Sequence, residues 1–283
     1  MSSRQNGIAL ISVLLVMSLA LLVTGTLLRN HRVALQNSGQ QLQQLHLRQL
    51  ASAGETWALA VLQEAASAGQ KSVDLTQDWA RSAPDFSLDD AQIDVAIEDL
   101  AGRFNLNSLL LEGKVDQVIL GRWTRLLALL GLPPLELKQV GAVRELSQLR
   151  HLPGVDGQLL RELEPWVALL PKDATLNVNT APALVLRTLD GMEAATADAL
   201  VRQRSSSAWT SVQAFTQDPM LGGAAPRSHG LGIGSRWFRI TVNVSQGQRS
   251  LRLAIDVERD LKTHRLSLLQ RRLLPSRPYE MSR

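Results

Sequence analysis

The strongest pattern in the chain is a change of polarity near its start. From Gln5 to Leu28 no residue carries a charge, and Ile8-Ala9-Leu10-Ile11-Ser12-Val13-Leu14-Leu15-Val16-Met17 is almost wholly apolar. A run of about 20 such residues is what a helix needs to cross the hydrocarbon core of a bilayer. A secretory signal peptide would be shorter and would close on small residues of the Ala-x-Ala kind, which are missing before Arg29. Residues 29–68 then stay free of proline, with Leu42, Leu45, Leu50, Ala53, Trp57, Ala60 and Val61 at spacings of three and four. Gly39, Gly54 and Gly69 are the only breakers, and Ala66-Ser67-Ala68-Gly69 is a stop signal. The pattern therefore predicts one helix of about 60 residues, roughly 90 Å long at 1.5 Å per residue. Its front half suits lipid and its rear half is amphipathic. A simple anchor would need only the front half, so the rod reads as one that packs among others.

Beyond the rod the period changes twice. Asp94-Val95-Ala96-Ile97 alternates and is β-branched, which predicts a short strand. Residues 108–225 are Leu-rich and read as mostly helical, interrupted at Gly131-Leu132-Pro133-Pro134, Leu152-Pro153-Gly154 and Leu170-Pro171. Within them Leu149-Arg150-His151-Leu152-Pro153-Gly154-Val155 aligns with Leu186-Arg187-Thr188-Leu189-Asp190-Gly191-Met192 at an offset of 37, and Leu163 then matches Leu200. Two helix–turn–helix copies are implied, each turning at a glycine free to adopt positive φ. After a glycine-rich loop, Trp237–Val244 and Arg249–Val257 alternate on either side of Ser245-Gln246-Gly247-Gln248, which is a hairpin signal. Gly230 to Gly234 lacks the Lys-Ser/Thr and the strand–helix setting of a phosphate loop, and reads as a turn before the hairpin. The fold class expected is α+β: a long N-terminal helix, a small antiparallel sheet, and a large inserted all-α domain.

Composition narrows the chemistry. Cysteine is absent, which removes disulfides, thiolate metal sites and cysteine nucleophiles, and the five histidines are scattered without metal-ligand spacing. No nucleophile–base pair or cofactor fingerprint appears, so neither an enzyme nor a cofactor is expected. The net charge of +4 comes from the end of the chain, because Arg259–Arg283 holds seven Lys/Arg against two Asp/Glu. Residues 261–283 are accordingly expected to be a solvated basic tail.

Several segments carry a resemblance. The short polar leader Met1–Gly7, ending in Gly before an apolar residue, is similar to that of type IV prepilins. The resemblance implies cleavage by prepilin peptidase between Gly7 and Ile8, with methylation of Ile8. Asn6 stands where a basic residue usually precedes the Gly. The fifth residue after the cut, Glu in most pilins, is here Ser12. A carboxylate in a bilayer needs a partner, and in pilins the resemblance assigns it to the N-terminal amine of a neighbouring subunit. A subunit with Ser12 cannot offer that link, and loss of the Glu marks the minor pseudopilin family of type II secretion known as general secretion pathway protein K.

Glu98-Asp99-Leu100-Ala101-Gly102-Arg103-Phe104-Asn105-Leu106-Asn107 and Leu176-Asn177-Val178-Asn179-Thr180-Ala181-Pro182 resemble segments of the same family. The second also resembles the opening of a DNA-binding helix-hairpin-helix. There, however, the hairpins Gly191-Met192-Glu193 and Gly154-Val155-Asp156 carry an acid where close phosphate approach needs a glycine.

The resemblance implies these boundaries: a leader at 1–7, a transmembrane half-helix at 8–29 and its periplasmic continuation at 30–69. A pilin-like body at 70–107 and 226–260, a helical insert at 108–225 and the tail complete it. It implies a single-pass inner-membrane protein whose C-terminal domain is periplasmic, capping or initiating a pseudopilus tip. Its partners would be other minor pseudopilins in a hetero-oligomeric tip complex and prepilin peptidase, with the secretin or exported substrate as further contacts. Nucleic acid is the weaker expectation. A minor type IV pilin and a membrane-tethered DNA-binding module are the alternatives. Family members carry an acidic stretch associated with calcium. Here Leu127–Leu146 has only Glu136 and Glu145 as acids, too few for an ion that takes six to eight oxygens, so no metal is expected.

Overall fold

The structure, a computed structural model, describes residues 3–69, 71–81, 86–88, 90–111, 114–135, 137, 142–223 and 226–275. The chain divides into two compact units, Met1–Leu50 and Ala51–Arg283. A single helix, α1 (Ser3–Ser67), contributes to both. It ends where the small-residue signal lies, with Gly69 at φ +67° supplying the left-handed turn that stops a helix.

In the second unit, five antiparallel strands form one sheet: β1 (Phe86–Leu88), β2 (Ala91–Asp99), β3 (Trp237–Gln246), β4 (Arg249–Arg259) and β5 (Leu266–Leu274). They lie side by side in that order. The insertion is visible in the topology, since β2 and β3 pair in full register (Val95 opposite Val242) although the helical segment separates them in sequence. The predicted hairpin closes β3 to β4 through Gly247 at φ +58°. Ile240, Val242, Leu253 and Ile255 are buried, while the opposite side of the sheet is polar, with Arg239 held between two bonds to Asp256.

Residues 51–67 of α1 cross this sheet with a face different from the one the spacing suggested. Ala53 and Ala60 are exposed and Trp57 and Val61 half-buried, whereas Ala51, Gly54, Ala58, Leu62 and Ala66 are buried. The reason is close approach. A Cβ on Gly54 would sit 2.8 Å from Val242 Cγ1 and 3.1 Å from Val95 Cγ2. Of the positions the spacing predicts, Leu50 is buried; at Gly54 the helix lies too near Val242 and Val95 for a side chain, while Leu62 is accommodated farther along. Glu55 is buried beside them and takes a 2.5 Å bond from Arg271 of β5.

Of the basic tail expected at 261–283, Leu266–Leu274 is the fifth strand of the sheet, pairing with β4 with a register shift at Leu269. The body therefore extends past residue 260. Arg271 and Arg272, counted as solvated charges, reach Glu55 and Asp256.

The insert carries α2 (Gln117–Leu129), α3 (Gly157–Leu163), α4 (Ala183–Leu186), α5 (Ala194–Arg204) and α6 (Val212–Thr216). α3 and α5 start 37 residues apart, the spacing of the internal repeat. The turns before them use Gly154 at φ +77° and Gly191 at φ +69°. The copies differ upstream, where Leu146–His151 is a 3-10 helix and its counterpart α4 is a short α-helix. Phe104, Trp123, Leu126, Leu149 and Leu163 centre one buried cluster, and Leu186, Leu200, Trp209 and Phe215 a second. The insert also contains strand pairings absent from the sequence reading. Phe104–Asn105 runs parallel to Val167–Ala168, and Leu176–Asn177 parallel to Leu231–Gly232. Gly230–Gly234, read as a turn, therefore contributes a strand as well.

Candidate assembly helix and the joint of the insert

The first unit is the front of α1. From Val13 to Leu28 its large apolar side chains are exposed around the whole circumference, with Leu15, Leu21, Leu22 and Leu27 among the most exposed. A helix in water hides such residues on one face, so exposure all round specifies an apolar surrounding. The hydroxyls within it are satisfied internally: Ser18 donates to Leu14 O, Thr24 to Ala20 O and Thr26 to Val23 O, each at 2.7 Å. A span in lipid requires this, since no water is there to take an orphaned donor. By length and composition α1 is the one candidate membrane span among the described residues. Gly7, Ile8 and Ser12 all lie near the start of α1. Their side chains are outside the described residues.

In the second unit, the two segments singled out for resemblance meet. Asp99, at the end of β2, is fully buried and accepts from Asn177 Nδ2 at 2.8 Å, Thr180 Oγ1 at 2.6 Å and Ala101 N at 2.8 Å. Burial pushes its carboxyl up from the ordinary carboxylate value, against the lowering effect of Ser235, Thr180 and Asn177. Gly102 is required at the same place. A Cβ there would stand 2.8 Å from Thr180 Oγ1 and 3.0 Å from the Thr180 carbonyl.

Both Asn-x-Asn motifs do the same work. Asn105 Oδ1 accepts from Asn107 N, and Asn177 Oδ1 from Asn179 N, each at 3.1 Å, which turns the chain without a ladder. Their amides then tie distant segments. Asn105 donates to Pro171 O, Asn107 to Val143 O and Leu170 O, Asn177 to Val73 O, and Asn179 to Trp209 O. Arg103 grips Glu98 through two bonds. The sequence showed each motif but not that they converge; the repetition of Asn-x-Asn was the available signal.

Arg204, at the end of α5, was missed. It is buried without an ion-pair partner among the described residues, and donates to the carbonyls of Val178 at 2.9 Å and Ala181 at 2.5 Å. Desolvation lowers its pKa to about 10. Its role is to collect the carbonyls of Val178 and Ala181, while the Asn177 carbonyl is taken by the backbone N–H groups of Thr180 and Ala181.

The two helix-hairpin-helix-like copies differ at their second helices, since Glu193 before α5 makes no side-chain cap bond. Asp156 places its own carboxylate on Leu159 N at 2.8 Å, so the N-terminus of α3 is already occupied by an anion. Among the described residues no group of three or more His, Cys, Asp or Glu converges. Of the two acids in Leu127–Leu146, Glu145 accepts from Ser147 Oγ at 3.2 Å, and Glu136 lies outside the described residues. In the acidic run 85–94, Asp85 and Asp89 also lie outside them, and Asp94 accepts from Asn243. The described residues do not fit a calcium ion.

A helix apolar on every side in one unit, and in the other a small antiparallel sheet with a helical insert between β2 and β3, define a membrane-anchored pilin-like subunit. The family model for type II secretion system (T2SS), protein K matches residues 176–234, the half of the joint that begins at Leu176. Type II secretion system protein K of Pseudomonas aeruginosa is 32% identical, over 92% of this chain and 90% of that protein. The Klebsiella pneumoniae protein of the same name is 29% identical over 89% of this chain and 93% of its own length. A chain in the crystal structure of the GspK-GspI-GspJ complex from the enterotoxigenic Escherichia coli type 2 secretion system shares the fold. Its TM-score is 0.70 at 20% identity, covering 85% of this chain and 100% of that one. The chain belongs to the type II secretion system protein K family, and so to the minor pseudopilins of type II secretion.

Proposed function

We propose that this protein is the terminal subunit of a type II pseudopilus, acting in assembly and not in catalysis. It would be held in the inner membrane by residues 8–29 of α1, with the sheet and insert in the periplasm. Prepilin peptidase would cut between Gly7 and Ile8 and methylate Ile8. Neighbouring minor pseudopilins, counterparts of the GspI and GspJ named with the E. coli protein, would form the tip complex with it. Contacts with the secretin or exported substrate would follow from the position at the tip.

The observation that carries this reading is Ser12 within an uncharged apolar run. An intramembrane carboxylate is costly and is retained where it pairs with something. A helix without one can dock on a subunit below but presents no counter-charge to the amine of a subunit above. Polymerisation stops on that side. Mass spectrometry of the mature protein tests the processing: an N-terminus at methylated Ile8 is expected, and a chain that retains Met1–Gly7 would sink the reading.

A further inference from the structure

The sheet ends in two unlike edges. β1 is three residues long and offers little backbone to an incoming strand. β5 is nine residues long, about 30 Å of strand, and pairs on one side only, with β4. An edge of this length templates further pairing unless something covers or blunts it, and no element among the described residues covers it. Leu268, Leu269 and Leu273 on it are 51%, 53% and 60% exposed.

The register shows what such exposure means. Leu273 stands opposite Leu253 and Leu268 opposite Val257, and Leu253 in turn stands opposite Val242. Val242 is the residue against which Gly54 of α1 packs. Leu268 and Leu273 therefore lie on the apolar, α1-bearing face of the sheet, which runs out to the rim uncovered. One more strand beyond β5 would extend that face and cover both leucines.

Charge decides the guest. Between Asp260 and Leu274, Lys262, Arg265, Arg271 and Arg272 stand against Asp260 alone. Arg271 and Arg272 are neighbours in the strand and turn to opposite faces, one to Glu55 on α1 and the other to Asp256. A guanidinium has five N–H donors, so each retains capacity beyond the contact named. A second copy of β5 would set the same basic strand against this one, and like charges across a strand pair are unfavourable. An acidic strand would find a cation on either face.

We propose that the free edge of β5 is a strand-addition site for a β-strand of a neighbouring pseudopilin. That strand would carry carboxylates toward Arg271 and Arg272 and apolar side chains toward Leu268 and Leu273. Main-chain hydrogen bonds supply the grip and the alternating side chains the choice of partner. The proposal rests on the assembly reading above, and locates one of its contacts away from the membrane helix.

The test uses the full chain in cells that make its own secretion system, with a photo-crosslinking amino acid at Ser267 on β5 or, separately, at Leu22 on α1. Both positions should yield adducts with pseudopilins, identified by mass spectrometry. The Ser267 adduct should map to a strand bearing Asp or Glu. Leu273→Glu, a change at an exposed position, should lower the Ser267 adduct roughly two- to fivefold, the span of one unfavourable cross-strand pair, and leave the Leu22 adduct unchanged. Adducts from Leu22 with none from Ser267 would overturn the edge proposal while sparing the assembly reading. So would a Ser267 adduct with a second copy of this chain. Absence of adducts from both positions would overturn the assembly reading and this proposal with it.

Discussion

Gly54 offers a sharp test of how α1 meets the sheet. Mid-helix, replacing glycine by alanine ordinarily stabilises by about 1 kcal/mol. Here the new Cβ would meet Val242 Cγ1 at 2.8 Å, Val95 Cγ2 at 3.1 Å and Ile93 Cγ2 at 3.3 Å. All three neighbours are β-branched, with little χ1 freedom to yield, and sit on β2 and β3, whose full-length pairing resists local movement. Overpacking of this kind costs about 1–3 kcal/mol. Set against the helix gain, Gly54→Ala should lose about 1 kcal/mol, which lowers Tm by roughly 2–4 °C in a unit of this size. Gly121 in α2 is the control, because a Cβ there meets nothing within 4 Å. Gly121→Ala should therefore gain about 0.5–1 kcal/mol. Urea unfolding of the full chain in detergent, followed by tryptophan fluorescence, reads both as midpoint shifts at constant slope. A Gly54→Ala protein as stable as the parent would refute the close-approach argument.

Other consequences are equally direct. Arg204→Met strands the carbonyls of Val178 and Ala181 and should cost about 3 kcal/mol or more, seen as an early urea midpoint; an unchanged midpoint would show the turn holds without it. Asp190 is held below its usual 3.8, first by the hydrogen bond from Arg125 and then by the charges of Arg125, Arg227 and Arg122. A depressed folded-state pKa gives stability that is present above about pH 3.8 and lost as pH falls through the folded value. Asp190→Asn should therefore flatten the acid limb of the stability–pH curve, and an unaltered limb would contradict the assignment. The half-exposed setting of this pair, with Arg125 and Asp190 side chains 43% and 35% exposed, keeps the effect modest.

Much of the architecture was legible because it rests on local pattern. The uncharged run, the terminal Ala-Ser-Ala-Gly, the repeat turning on Gly154 and Gly191, and the Trp237–Val257 hairpin each state their conformation within a few residues. Two failures share a different cause, since both depend on what arrives from far away in sequence. The buried face of α1 turns on Gly54, where Val95 and Val242 leave no room for a side chain, and periodicity alone favours Ala53, Trp57 and Val61 on the neighbouring face. Leu266–Leu274 has no β-branched residue and reads as tail, yet it pairs because β4 presents an open edge. Of the candidate site, Gly7, Ile8 and Ser12 could be named from sequence, as could the Asn-x-Asn motifs. The closure of those motifs on Asp99 and Gly102 could not, because their hydrogen bonds span 63 to 81 residues.

The account's central claim is that this subunit ends a filament. Immunogold labelling of pseudopili, overproduced in cells carrying this protein with an epitope on its insert, tests it most directly by electron microscopy. Gold at one end of each filament is the result predicted by an N-terminal helix with Ser12 in place of a carboxylate. Gold repeated along the shaft would show that the chain polymerises, and would contradict it.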